Sequence, residues 1–139
     1  MLFDIERLAL TPDVRTMAAA DARVAISVRL WVVMNKLGRC PLEAMIERLG
    51  SAPAGGKLHV LMEEIEVAWP EPFCVNPPCC PRLSHDEALV IDMTDIARRG
   101  DRPGFDRLLS DLLRFDARER LYRSAASLGA SLEDAARAG

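Results

Sequence analysis

The chain has 139 residues, half of them apolar, with 28% charged residues and a formal net charge of −3. That length suits one domain and can bury a core without staples. The apolar content excludes disorder for most of the chain, and the lack of a basic excess argues against a general nucleic-acid footprint.

The basic residues are 16 Arg and only two Lys, Lys36 and Lys57, scattered over every segment. Residues 1–10 carry Asp4, Glu6 and Arg7 where a secretory signal would be apolar. The longest apolar run, 24–34, has 11 residues and contains Arg29, short of the roughly 18 a membrane span needs. The expectation is a soluble cytoplasmic protein, with no membrane partner and with four reduced cysteines.

Thr11-Pro12 reads as an N-cap followed by a first-turn proline, and Gly38 closes the segment. Between them the spacing predicts a helix over 13–37. Met17, Val24, Val28 and Trp31 share one face, and Ile26, Leu30, Val33 and Leu37 lie nearly opposite. Arg29 and Lys36 fall on a narrow polar strip between them. A helix apolar on two sides is buried from two sides, either centrally or against a second subunit. Pro41 starts a short helix with Leu42, Met45, Ile46 and Leu49, ended by Gly50. Residues 51–56 read as a small-residue loop. Leu58, Leu61, Met62, Ile65 and Trp69 mark a helix over 57–69 that Pro70 stops.

Ser84 and Glu87 form a capping box for a helix carrying Leu89, Val90, Met93 and Ile96 to Gly100. Residues 103–115 carry Phe105, Leu108, Leu109, Leu112 and Leu113. Asp116 and Glu119 open another helix, with Leu121, Ala125 and Leu128, that Gly129 should end. Ser131 caps a last, Ala-rich piece expected to fray. No strand or hairpin signal occurs. The fold class is all-α: a single-domain, bundle-like array of six to seven helices over 1–139. It has a front half (11–69), an irregular connection (70–82) and a back half (84–138).

That connection is compositionally unlike the rest. Five of the nine Pro and three of the four Cys fall within 70–81. Each proline fixes its own φ and restricts its predecessor, so the loop is stiff for its length. Thiolates and imidazole are zinc ligands, which makes Cys74, Cys79, Cys80 and His85, or Cys40, candidates for a metal site. Their spacing is one compact run and not two separated knuckles. Cys79-Cys80 suits a vicinal thiol pair open to oxidation or soft metals at least as well. The ordinary alternative is that these cysteines are small buried hydrophobes covering the end of the bundle. Cys40, just before Pro41, occupies an N-cap position and has no CxxC partner.

His59, Glu63 and Glu66 share one side of the 57–69 helix, a metal-compatible set that is more simply a solvated face. His85-Asp86, with His59 upstream and Asp92 or Asp95 downstream, formally matches the His…His-Asp…Asp pattern of HD phosphohydrolases. In that family the pair follows an apolar helical run; here it follows Pro81-Arg82-Leu83-Ser84 and opens a helix. Phosphate-binding and nucleophile-elbow motifs are missing. Helix-turn-helix DNA binding over 41–69 is disfavoured by the length of the 51–56 connection and by Glu63, Glu64 and Glu66, which would repel phosphates.

Two functional expectations follow. One is a non-catalytic helical interaction or regulatory protein, self-associating as a homodimer through the 13–37 helix. The other is a small metal-binding or thiol-redox protein using the Cys74/Cys79/Cys80 loop with His85 or Cys40, with zinc as its ion.

Overall fold

A computed structural model describes residues 12–138. These form six α-helices packed around one core: α1 (Ala19–Lys36), α2 (Leu42–Leu49), α3 (Ala52–Ala68), α4 (His85–Arg98), α5 (Arg102–Leu109) and α6 (Phe115–Ala138). The all-α expectation of six to seven helices holds, with six among the described residues. No described helix is long and apolar enough to cross a membrane. The expected apolar stripes make the core: Val24, Val28 and Trp31 meet Met45, Leu58, Leu61, Met62 and Ile65, continuing into Val90, Met93, Phe105 and Leu121. Helix α6 packs across both α3 and α4 and so ties the front half to the back.

The first helix is shorter than the sequence predicts. It starts at Ala19 behind Ala18, which offers no side-chain cap, while Thr11 lies outside the described residues. The preceding backbone has other partners. Val14 N–H donates to the Pro81 carbonyl at 2.7 Å, and Leu83 N–H donates to the Pro12 carbonyl at 3.0 Å. The Asp13 carboxylate accepts the Arg15 N–H at 2.8 Å. Each backbone donor needs one partner, and here the connection and a local turn supply them instead of a helical ladder. The polar strip is also wrong at one position. Lys36 is exposed, but Arg29 is buried to 1% exposure.

Two glycines that read as punctuation are contact points instead. Residues 52–56 are not loop: Ser51 caps α3, its Oγ accepting the Ala54 N–H at 3.2 Å, and Pro53 suits the first turn. Gly55 then faces α2, where an added Cβ would lie 2.5 Å from Ile46 Cγ1 and 2.9 Å from Ile46 Cα. Gly129 lies inside α6, and a Cβ there would sit 2.7 Å from Arg98 Cβ on α4. The two expected C-terminal helices are therefore one, reaching Ala138.

The start of α6 is fastened by charge. Arg102 donates to Asp106 at 3.1 Å and to Glu119, with its guanidinium over the Tyr122 ring at 5.0 Å. Arg118 reaches Asp106 at 2.9 Å and lies over Phe115.

Candidate functional site

The 70–84 connection is built from turns that its own residues impose. Pro78 occupies the second position of a β-turn, where its fixed φ is favourable, and Cys80 N–H closes the turn onto the Pro77 carbonyl at 2.9 Å. Cys79 therefore stands at the tip. Asn76 Nδ2 donates to the Arg82 carbonyl at 2.7 Å, bridging the loop's two limbs. Phe73 stacks at a tilt on Trp69, ring centroids 5.8 Å apart.

The first turn of α4 grips the same segment. The capping box is present as the sequence predicts: Glu87 N–H donates to Ser84 Oγ at 3.0 Å, and Ser84 N–H donates to Glu87 Oε1 at 2.7 Å. Ser84 Oγ also donates to the Cys74 carbonyl at 2.7 Å. The Asp86 carboxylate accepts the Cys74 N–H at 2.8 Å and Trp69 Nε1 at 3.3 Å.

Arg29 completes the arrangement from below. Its Nε donates to Glu87 Oε2 at 2.6 Å and its Nη2 to Glu87 Oε1 at 3.1 Å. Both side chains are essentially dry, at 2% and 0% exposure. Nη1 donates to the Cys80 carbonyl at 2.8 Å and reaches the Pro78 carbonyl at 3.4 Å, and Nη2 donates to the Arg82 carbonyl at 2.8 Å. The planar guanidinium fork suits this division, with one edge on a carboxylate and the other donors on carbonyls. A buried charge without partners would cost several kcal/mol; here Arg29 is paired and saturated by the loop it supports.

Cys40, Cys74 and Cys79 are exposed and Cys80 is half-buried, so the reading of these thiols as buried cover for the bundle is overturned. The stiff loop turns its main chain inward to satisfy Arg29, Ser84 and Asp86. His85, the first residue of α4, is exposed. Among the described residues, no group of three or more His, Cys, Asp or Glu side chains is placed to hold a metal ion. The four expected zinc ligands therefore do not converge in this conformation. Pro41, not Cys40, is the N-cap of α2.

The remaining constellations have structural roles. His59 is half-buried: its Nδ1 accepts Trp31 Nε1 at 3.1 Å, and its Nε2 faces Glu63 Oε1 at 3.3 Å. It bridges α1 and α3 and is not simply part of a solvated face. Beside it a cleft of about 300 Å³ opens between these helices and the start of the connection, lined by Trp31, Met62, Ile65, Lys36, Glu66 and Phe73 among others. Asp86 is engaged by Trp69 and Cys74. Asp92 and Asp21 carry carboxyls raised above the ordinary range, first by partial desolvation and then by the nearby Asp95; His85 partly offsets this at Asp92 and Arg98 at Asp21. The length objection to a helix-turn-helix fails, because only Gly50 and Ser51 separate α2 from α3. The charge objection from Glu63, Glu64 and Glu66 stays.

Arg29 is the residue that sequence reasoning missed. Its signal was a lone cation inside an apolar run, 58 residues from a carboxylate already assigned a local job. Comparison with protein-family models, curated proteins and solved structures gives no match.

Proposed function

We propose that the chain is a non-catalytic helical interaction or regulatory module that presents the 70–84 connection to another protein or to a second copy of itself. The observation that carries this reading is the buried Arg29–Glu87 pair and its donation to the loop carbonyls. A buried ion pair is a poor source of stability, since apolar residues of similar volume often do as well or better. What this pair does supply is a fixed shape for a surface loop, which lowers the ordering cost of binding. The homodimer through the first helix has narrower support than the sequence offered. Ile26, Leu30 and Val33 are half-buried within the protomer, and Leu37, at 66% exposure, extends that face. A photo-crosslinking residue at position 79, compared with one at the exposed Asp111, tests the proposal in cells. A discrete adduct from position 79 and none from 111 is expected; no adduct from 79 contradicts it. Light scattering over a range of concentrations decides self-association, and a monomer throughout removes it.

A second reading is favoured by the surface position of the thiols: metal or thiol chemistry at Cys74, Cys79 and Cys80. A zinc site completed by His85 would need the loop to rearrange. Elemental analysis of the reduced protein tests it. About one zinc, lost with Cys74→Ser, is the expected result; no zinc together with an unchanged melting temperature for Cys74→Ser removes it.

A further inference from the structure

We propose that Cys79 and Cys80 form a dithiolate site for a thiophilic trivalent centre, of which an organoarsenical is the model ligand. This rests on the thiol reading of the connection and names its ligand class. Both residues belong to one turn, at its third and fourth positions, with Cys79 exposed and Cys80 half-buried. Pro78 sets the turn, and Arg29 holds the Cys80 carbonyl at 2.8 Å from beneath. The backbone carrying the two sulfurs is therefore already ordered before a ligand arrives, which lowers the cost of chelation.

Geometry separates this chemistry from the two obvious competitors. All peptide bonds among the described residues are trans, so the adjacent Cα atoms lie about 3.8 Å apart. Ordinary disulfides begin at about 4.4 Å between Cα atoms, so direct oxidation of the pair to a disulfide is strained. A bridging atom lengthens the path between the sulfurs and relieves that strain. Structural zinc asks for four protein ligands, whereas among the described residues no third His, Cys, Asp or Glu gathers with the pair. A centre that takes two soft thiolates and brings its own remaining substituent suits what is there. The step is balanced without redox change. An arsenoxide, R–As=O, loses its oxygen as water, which carries off both thiol protons. Two S–As bonds form and arsenic stays trivalent.

The test uses phenylarsine oxide with the reduced full chain, read by intact-mass spectrometry. One phenylarsenic per chain is expected, persisting in excess glutathione and released by 2,3-dimercaptopropanol. Cys79→Ser and Cys80→Ser should each abolish the glutathione-resistant adduct, and Cys40→Ser and Cys74→Ser should each retain it. An adduct that glutathione strips from the unmodified chain, or that survives in Cys79→Ser or Cys80→Ser, overturns the proposal. Maleimide labelling separates the two levels. Ready labelling of both thiols without a resistant arsenical overturns the dithiolate site and spares the thiol reading. Failure of both reagents removes both.

Discussion

The α2–α3 contact and the 70–84 connection are held by opposite means. In the first, two short-turned helices approach until nothing larger than hydrogen fits between Gly55 and Ile46; the contact is apolar, and shape decides it. In the second, a segment too rich in proline for regular structure has its carbonyls gathered by one buried guanidinium. The first kind of contact supplies stability through area removed from water and tight packing. The second contributes little net stability while intact and is expensive to leave half-made. The difference teaches that robustness and shape are supplied by different parts of this molecule, and that the two should respond differently to substitution.

The largest effect should come from breaking the ion pair on one side. Glu87→Ala leaves Arg29 charged and buried, and should cost about 3–5 kcal/mol in denaturant unfolding. Replacing both partners, as Arg29→Met with Glu87→Leu, should recover most of that loss, because no uncompensated charge remains. If the double variant is as unstable as the single one, the pair is a stability device and the contrast collapses. The packing region gives the next effect. Gly55→Ala forces a Cβ against the Ile46 backbone and should cost about 1–3 kcal/mol. Its neighbour sharpens the point: a Cβ at Gly56 meets nothing within 4 Å, so Gly56→Ala should stabilise by about 0.5–1 kcal/mol through helix propensity. Equal effects at 55 and 56 would show that the close approach does not matter.

The smallest effect is electrostatic and belongs to neither region. Asp92 has its carboxyl raised by partial desolvation and by Asp95 and Asp21, with His85 opposing. A carboxyl raised in the folded state destabilises it once ionised, and stability is regained as pH falls through the raised value. Asp92→Asn should therefore raise the melting temperature slightly at pH 7. The gain should vanish as pH falls through the carboxylate range, and a gain independent of pH would contradict the assignment.

What the sequence made legible was local. The capping box at Ser84 and Glu87 spans three residues, and the apolar stripes of α3 and α4 recur every turn, so both could be read without knowing the fold. Gly55 and Gly129 were misread because glycine's local signal is to stop a helix. Their native role is set by Ile46 and Arg98, residues that only tertiary packing brings near. The start of α1 was misplaced for a similar reason, since the backbone before it pairs with a distant segment, the Val14 N–H donating to Pro81 and the Pro12 carbonyl accepting from Leu83. At the candidate site, the proline turns and cysteines were visible as composition. Their outward display was not, because it follows from Arg29 drawing the main chain inward across 49 to 53 residues of sequence.

Amide hydrogen exchange on the Arg29→Met, Glu87→Leu double variant tests most directly whether the buried pair fixes the shape of the connection. The account predicts that Cys74, Cys80 and Leu83, whose acceptors the variant keeps, lose protection while Leu61 and Ile65 in α3 keep theirs. Undiminished protection at these three amides would contradict it, because the loop would then hold its shape without Arg29.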